Sequence, residues 1–209
     1  MACEEITKDH FIRVNTNLTC QGVERFARSV NPDRVTLIRA SCHIAELKRL
    51  DLVSAYVSNF KLLTGKGFNM AAAFVAEPSL AGEYSGIKGY FRERGIELET
   101  RPFDGEYEGR RYPAGYTKGE LEAFGLNKDI IREYYRKGTW CNAGYNAGAV
   151  SADGNIKPCF VVDKDLGNIY SGIKFAAEPM ICPVDFCPCP PPTVTPGLLK
   201  KATDDKKVK

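Results

Sequence analysis

The sequence predicts an α/β fold, in which a partial parallel (β/α) barrel of about four units is followed by a small cysteine-rich β-hairpin domain. Three observations support this prediction. Short β-branched or apolar runs alternate with amphipathic stretches through the first half of the chain. A turn sequence, Asp153-Gly154, lies between two short apolar runs in the last third. Five of the eight cysteines fall within residues 141–189.

Four strand–helix units are predicted within residues 8–102. Their strands are Phe11–Thr16, Arg34–Ala40, Phe68–Val75 and Ile96–Thr100. Their helices are at about 21–29, over the apolar positions that run from Leu47 to Phe60, and at about 80–94. Because each strand is followed by a helix, we expect a parallel sheet joined by right-handed crossovers. A sheet of this kind is expected to be buried on both faces.

The number of units predicts an incomplete barrel. Four units are about half of a closed eight-unit barrel, which takes around 250 residues. The sequence begins immediately before the first predicted strand and offers nothing to cover the edge of that strand. Exposed edges are normally protected. We therefore expect the barrel to be cut short or to be completed by a partner protein.

Residues 103–139 are predicted to form a loop and a helical bridge between the two domains. The loop is rich in Gly, Tyr and Arg. Thr117 and Glu120 have the spacing of a capping box, which predicts the start of a short helix. Asn127 is predicted to cap a second helix that continues to about Lys137.

The second domain is predicted to span residues 140–190. Within it, the segment 149–157 has the pattern of a β-hairpin with Asp153-Gly154 as a two-residue turn. Residues 191–209, which are rich in Pro and Lys, are predicted to be a disordered tail.

The five cysteines of this domain are the candidate metal ligands. They are Cys141, Cys159, Cys182, Cys187 and Cys189. The first two lie on either side of the hairpin, whose turn can bring their sulfurs to one end of the sheet. The other three lie in a proline-containing loop that is able to wrap an ion. A four-thiolate site suits zinc or an iron–sulfur cluster, although the close spacing of zinc ribbons is absent. Buried cysteines without a ligand role are the alternative.

Composition argues against several classes of function. Without the five lysines and two aspartates of residues 196–209, the chain has 24 basic and 24 acidic residues, so no nucleic-acid interface is expected. No stretch approaches the roughly 18 consecutive apolar residues of a membrane span. The acidic start lacks the apolar core of a secretory signal. We therefore expect a cytoplasmic protein, whose cysteines bind metal rather than form disulfides.

The cysteine segment resembles a known domain. It reads Cys141-Asn-Ala-Gly-Tyr-Asn-Ala-Gly-Ala-Val-Ser-Ala-Asp-Gly-Asn-Ile-Lys-Pro-Cys159 and is followed by Leu166-Gly167-Asn168-Ile169. Over residues 140–190 this pattern resembles the SPASM domain. That domain holds auxiliary 4Fe-4S clusters in radical S-adenosylmethionine enzymes, many of which modify peptides.

The resemblance implies that Cys141 and Cys159 are cluster ligands, with further ligands among Cys182, Cys187 and Cys189. A full SPASM domain has seven cysteines and two clusters, whereas this region has five cysteines. We therefore expect one 4Fe-4S cluster, with either Cys187 or Cys189 as the fourth ligand. The scattered cysteines of the first domain are expected to be packing residues.

The first domain is similar to the later strands of the radical S-adenosylmethionine barrel. The similar strand ends are Val14-Asn15-Thr16-Asn17, Arg39-Ala40-Ser41 and Phe74-Val75-Ala76. In that family such ends line the cofactor pocket, which implies that Asn17 and Ser41 face the polar parts of S-adenosylmethionine. The alternative is that Asn17 caps the following helix and Ser41 only ends a strand. Many relatives read Ser-x-Asp-Gly where this chain has Ser41-Cys42-His43-Ile44.

One motif of the family is absent from the sequence. Reductive cleavage of S-adenosylmethionine requires a CxxxCxxC loop, and no two of Cys3, Cys20 and Cys42 are closer than seventeen residues. The chain is therefore not expected to be active alone, and it would bind S-adenosylmethionine only if a partner supplies the other half-barrel. The leading interpretation is the C-terminal part of a radical enzyme whose auxiliary cluster serves electron transfer or substrate binding in peptide modification. The alternative is a non-catalytic 4Fe-4S or zinc scaffold that docks on a partner.

Overall fold

The computed structural model describes residues 2–187. Cys189 and the predicted tail 191–209 therefore lie outside the described residues. The chain divides into two units, Met1–Leu126 and Asn127–Lys209. No helix in the described part is both long enough and apolar enough to cross a lipid bilayer.

The first unit contains a four-stranded parallel sheet with helices in the crossovers. Its strands are β1 (Ile12–Thr16), β2 (Val35–Ser41), β3 (Met70–Ala76) and β4 (Leu98–Pro102), and they neighbour one another in that order. Its helices are α1 (Ala2–Ile6), α2 (Val23–Ser29), α3 (Ile44–Arg49), α4 (Val53–Gly65), α5 (Tyr84–Arg92) and α6 (Lys118–Phe124). The predicted α/β fold with a parallel sheet is confirmed. The described strands do not form a closed barrel.

One face of the sheet packs on the helices. Side chains alternate between the two faces of a strand, and Ile38, Ala40 and Phe74 belong to the buried core on the helix side. Tyr56 of α4 is fully buried, and its hydroxyl donates a hydrogen bond to the carbonyl of Ala40 at 3.1 Å. Burial of these apolar surfaces stabilises the unit.

The opposite face of the sheet carries polar residues at β1, at Arg39 of β2 and at β4, whereas Ala71, Ala73 and Val75 of β3 make its middle apolar. Arg13, Asn15 and Glu99 lie on this face and are exposed. The prediction that the sheet is buried on both faces therefore fails at β1, whereas β3 is buried on both faces, with Ala71 and Ala73 buried on the face opposite the helices. In β1 the polar residues alternate with Ile12 and Val14, a period of two that is typical of a strand with one solvated face.

The long helix predicted from Leu47 to Phe60 is two helices, α3 and α4. The break falls at Asp51, whose φ of +54° is in the left-handed region that aspartate adopts more readily than most residues. Leu50, which continues the apolar spacing in the sequence, is 46% exposed. Its side chain therefore does not belong to the buried face of either helix.

The capping box at the start of α6 is confirmed. The Thr117 hydroxyl accepts a hydrogen bond from the Glu120 N–H at 3.2 Å, and the Glu120 carboxylate accepts one from the Thr117 N–H at 2.6 Å. The loop predicted before it contains a short hairpin of β5 (Gly105–Tyr107) and β6 (Arg110–Tyr112). Its two turn residues, Glu108 and Gly109, both have positive φ, as in a type I′ turn.

The second unit consists of one helix and pairs of very short strands. They are α7 (Lys128–Arg132), β7 (Trp140–Cys141), β8 (Ala149–Val150), β9 (Ile156–Lys157), β10 (Gly167–Asn168), β11 (Gly172–Ile173) and β12 (Met180–Ile181). The antiparallel pairs are β7 with β12, β8 with β9, and β10 with β11. Asn127 caps α7 as predicted. The helix ends at Arg132, however, so the prediction that it continues to Lys137 is wrong.

The hairpin predicted around Gly154 is present, but its turn is one residue longer than predicted. Val150 pairs with Ile156. Ser151 and Asn155 form the next pair, so the loop consists of the three residues between them. The Gly154 N–H donates to the Ser151 carbonyl at 2.9 Å, and Gly154 has a φ of +84°. This is the three-residue turn in which a type I turn is followed by a left-handed residue.

Candidate functional site

Two of the candidate ligands, Cys141 and Cys182, are positioned by the antiparallel pair of β7 and β12. Cys141 pairs with Met180, and the Cys182 N–H donates to the Thr139 carbonyl at 2.8 Å, so the ladder continues one step beyond β12. Residues two apart on one strand share a face. The two cysteines are therefore diagonal neighbours on the same face, at a typical Cβ separation of about 7–8 Å.

Cys187 is held by a second backbone contact. Its N–H donates to the Tyr134 carbonyl at 2.7 Å. The preceding residue, Phe186, stacks on the Tyr134 ring with a centroid distance of 5.4 Å and an interplanar angle of 8°. Cys182 and Cys187 are both buried. The segment that carries these two cysteines is therefore fixed against the residues that precede β7.

Backbone N–H groups donate to the sulfurs of the other two cysteines. The Ala143 N–H lies 3.5 Å from the Cys141 sulfur, and the Val162 N–H lies 3.3 Å from the Cys159 sulfur. Hydrogen bonds of this kind stabilise a thiolate, and they tune the potential of thiolate-bound clusters. These donors cannot be predicted from the sequence, because the N–H direction depends on local turns and not on residue type.

The charges of three other candidate ligands affect the pKa of the Cys141 thiol. Burial raises the pKa of this thiol, and the charges of Cys182, Cys187 and Cys159 raise it further, against a lowering by the Ala143 N–H. Four of the five predicted ligands are therefore close enough to interact electrostatically. A bound cation would invert this effect and favour the thiolates.

The sulfurs are not assembled as a metal site in the described part of the chain. No three Cys, His, Asp or Glu residues among residues 2–187 have the arrangement that holds a metal ion. The seven described cysteines are all free, so no disulfide links them. The donor type fits zinc or an iron–sulfur cluster, but the sulfurs have not converged. The fifth predicted ligand, Cys189, lies outside the described residues.

The three cysteines of the first unit differ in their surroundings. Cys42 lies in the core, and burial raises the pKa of its thiol to about 12. Cys3 is half-buried and packs against the core, whereas Cys20 is exposed. Packing therefore accounts for Cys42 and Cys3 but not for Cys20.

The predicted cofactor residues, Asn17 and Ser41, lie at the carboxyl edge of the sheet. Thr16 pairs with Ala40 at the end of this ladder, Asn17 directly follows β1, and Ser41 is the last residue of β2. The Asn17 side chain accepts a hydrogen bond from the Thr19 N–H at 3.3 Å. Gly22, not Asn17, is the N-cap of α2, so the interpretation of Asn17 as a helix cap is wrong. A role of the two residues toward a cofactor stays a prediction.

Comparison with known proteins gives a likeness of fold. No family model and no curated protein match the chain. The structure is similar to a solved structure described as native anSMEcpe with bound AdoMet. The TM-score is 0.55 and the sequence identity is 19%. The match covers 78% of this chain and 55% of that one, so the chain spans about half the length of its structural neighbour.

Proposed function

We propose that the chain is the C-terminal, SPASM-like part of a radical S-adenosylmethionine enzyme and that its second unit holds one 4Fe-4S cluster. The ligands are Cys141, Cys159, Cys182 and either Cys187 or Cys189. The cluster serves electron transfer or substrate binding in the modification of a peptide or protein. When bound, a 4Fe-4S cluster supplies one-electron chemistry.

The observation that carries the proposal is the pairing of β7 with β12, which sets Cys141 and Cys182 on one face. Burial is the main cause of the raised pKa of Cys141, the Ala143 N–H opposes it, and the charges of Cys182, Cys187 and Cys159 add to it. Interacting thiols without a counter-ion are electrostatically unfavourable once ionised, and coordination to iron would remove that cost. The N–H donors of Ala143 and Val162 further favour the thiolate form of two of the sulfurs.

The partial barrel supports the other half of the proposal. Its four parallel strands belong to a fold similar to that of an AdoMet-bound structure, of which the chain spans about half the length. Among residues 2–187, β1 pairs only with β2, so the other edge of β1 is open to a further strand. We propose that a protein carrying a CxxxCxxC loop supplies the other half-barrel. S-adenosylmethionine would then bind at the carboxyl edge, near Asn17 and Ser41.

Anaerobic reconstitution with iron and sulfide tests the cluster. The expected result is about four iron and four sulfide per chain, with the Mössbauer spectrum of a 4Fe-4S cluster. Uptake of zinc alone would contradict the proposal. The Cys141→Ala and Cys182→Ala variants are expected to lose most of the iron. Cys20→Ala is the matched control, because Cys20 is an exposed thiol of the first unit.

The same assay identifies the fourth ligand. Of Cys187→Ala and Cys189→Ala, one variant is expected to lose the cluster and the other to retain it. Cys187 is buried and is held by Tyr134. If both variants keep the full iron content, neither residue is a ligand and the four-thiolate site is wrong.

A second candidate function is a non-catalytic cluster or zinc scaffold that docks on a partner protein. The observation that favours it is the exposure of large aromatic side chains in the second unit, with Phe160 at 86% and Tyr170 at 84%. Anaerobic co-purification separates the two candidates. A partner that carries CxxxCxxC supports the split enzyme, whereas a partner without that loop supports the scaffold, and a monomer with no partner contradicts the docking role.

A further inference from the structure

Three arginines lie on the polar face of the sheet in the first unit. Arg13 is on β1, Arg39 is on β2 and Arg101 is on β4. Arg39 pairs with Asn15, which is two residues from Arg13, and Arg101 pairs with Val75. Because residues two apart share a face of a strand, the register sets the three arginines on the face opposite the helices.

Arg39 is the most buried of the three and has an unused donor. Its side chain is 15% exposed. Its Nη2 atom lies 3.5 Å from the Oε2 atom of Glu99. Its Nε atom is buried and has no hydrogen-bond partner among the described residues. A buried donor without a partner is costly, and a ligand oxygen at this position would satisfy it.

The face carries more positive than negative charge. Burial lowers the pKa of Arg39, and the charges of Arg101 and Arg13 lower it further, while Glu99 is the acid that raises it. Within residues 2–187, neither Arg13 nor Arg101 has a carboxylate at ion-pair distance. Three cations therefore share one anion, and a second anion would relieve the repulsion between them.

We propose that this arginine face binds the carboxylates of an extended acidic peptide segment, with Arg39 as the central anchor. The planar guanidinium group pairs with a carboxylate through two parallel hydrogen bonds. Arg13 and Arg101 stand three strands apart and are offset by six residues along the strands. This corresponds to about 14 Å across the strands and about 20 Å along them, or about 24 Å in all. A single carboxylate does not span this distance, whereas about seven residues of an extended peptide do.

A peptide fits this face better than a nucleic acid does. Glu99 lies among the three arginines and would repel a continuous row of phosphates. Outside residues 196–209, the chain has equal numbers of basic and acidic residues, so it lacks the broad positive surface of a nucleic-acid-binding protein. The proposal concerns binding by the first unit and does not depend on the cluster proposed for the second.

Fluorescence anisotropy of a labelled hexaglutamate peptide with the full chain tests the proposal. The expected result is saturable binding that added salt weakens, because the contacts are ionic. Arg39→Gln is expected to weaken binding by about tenfold, the effect of one charge-assisted hydrogen-bonded contact. Arg101→Gln is expected to weaken it by a smaller factor. Arg28→Gln is the matched control, because it removes one exposed charge on the helix side.

Three outcomes would overturn the proposal. One is equal binding of a hexaglutamine peptide, and another is equal binding of an oligonucleotide with six phosphates. The third is an equal loss in Arg28→Gln and Arg39→Gln, which would indicate a net-charge effect.

If Arg39→Gln does not fold by circular dichroism, Arg13→Gln and Arg101→Gln take its place, and unchanged binding in both would overturn the proposal. The peptide-binding assay does not require the cluster, so its result can be interpreted even if reconstitution fails.

Discussion

The two units of this chain are stabilised in different ways. The four-stranded sheet of the first unit has strands of five to seven residues, and the unit has a continuous core that includes Tyr56, Phe74 and Phe91. The second unit has strands of two residues, and large side chains such as Phe160 and Tyr170 are exposed. Small domains that bury little apolar surface are usually stabilised by disulfides or metals. The comparison therefore agrees with the proposal that the cysteines of the second unit bind a metal, whereas Cys42 and Cys3 of the first unit pack in or against its core.

Metal removal is the strongest way to test this difference. If the second unit depends on its cluster, chelation of the reconstituted protein is expected to remove a stabilisation on the order of 10 kcal/mol, as for other structural metal sites. Hydrogen exchange measured by mass spectrometry should then show loss of protection over residues 139–187 only. Strands β1 to β4 should keep their protection, because their core contains no proposed ligand.

Cys20→Ala is the control for this experiment, because it removes a thiol that lies in the first unit. Its response to chelation should equal that of the unchanged chain. If protection in the second unit is the same before and after metal removal, the unit is stable by packing alone and the comparison fails.

A core truncation tests the first unit. Phe74 is fully buried, and its ring centroid lies 4.9 Å from that of Tyr84 and 6.4 Å from that of Phe124. Phe74→Ala should lower the free energy of unfolding of the first unit by about 3–5 kcal/mol, because it leaves a cavity in a packed core. Urea unfolding followed by circular dichroism measures this. Phe160→Ala removes the same ring from an exposed position and should change stability by less than about 0.5 kcal/mol.

Glycine geometry provides a test within the second unit. Gly167 has a φ of +104°, and a Cβ atom added there would lie 2.2 Å from the Gly172 carbonyl oxygen. Gly167→Ala is expected to lower the stability of the β10–β11 turn by about 2 kcal/mol through backbone strain and steric overlap. Increased hydrogen exchange over residues 166–173 is the measurement.

The matched control for this variant is Gly119→Ala in α6. No atom lies within 4 Å of its added Cβ, and the glycine is inside a helix. This variant should stabilise the first unit by about 0.4–1 kcal/mol, because alanine has the higher helix propensity. Equal destabilisation by both variants would contradict the argument.

The local features of the fold could be predicted from the sequence. The capping box of Thr117 and Glu120 depends on residues three apart, and the strands of the first unit are predicted by runs of β-branched and apolar residues. The break at Asp51 could not be predicted, because Leu50 continues the helical spacing although its side chain is exposed. The exposure of this face at β1 is indicated only by the alternation at Arg13 and Asn15, which runs against the rule that parallel sheets are buried on both faces.

The candidate site was predictable only to the level of residue type. Counting and spacing identified Cys141, Cys159, Cys182 and Cys187 as candidates, and their role as ligands stays a prediction, because no group of three possible metal ligands forms among residues 2–187. Spacing does not determine how far apart the sulfurs lie, because that depends on the short ladders of β7 and β12. The burial of Arg39 could not be predicted from the sequence, because it arises from residues distant in sequence.

The smallest predicted effect concerns Glu120 of the first unit. Burial raises the pKa of its carboxyl. Hydrogen bonds from Thr117 and Tyr112 and the charge of Arg110 together lower the pKa by more than burial raises it, so it lies below its ordinary value of 4.5. A lowered pKa in the folded state stabilises the protein above the unfolded pKa. This contribution is lost as the pH falls through the folded pKa, so stability should decline below about pH 4.5.

Two variants separate the charge of Glu120 from its capping role. Glu120→Gln keeps a capping box, and it should remove this part of the pH dependence with little loss at pH 7. Glu120→Ala should cost about 1 kcal/mol at pH 7, because the Thr117 N–H loses its acceptor. Glu122→Ala, at an exposed position of the same helix, is the control. If thermal melts of Glu120→Gln retain the full acid dependence, the carboxyls responsible lie elsewhere, and acid stability does not distinguish the capped first unit from the second.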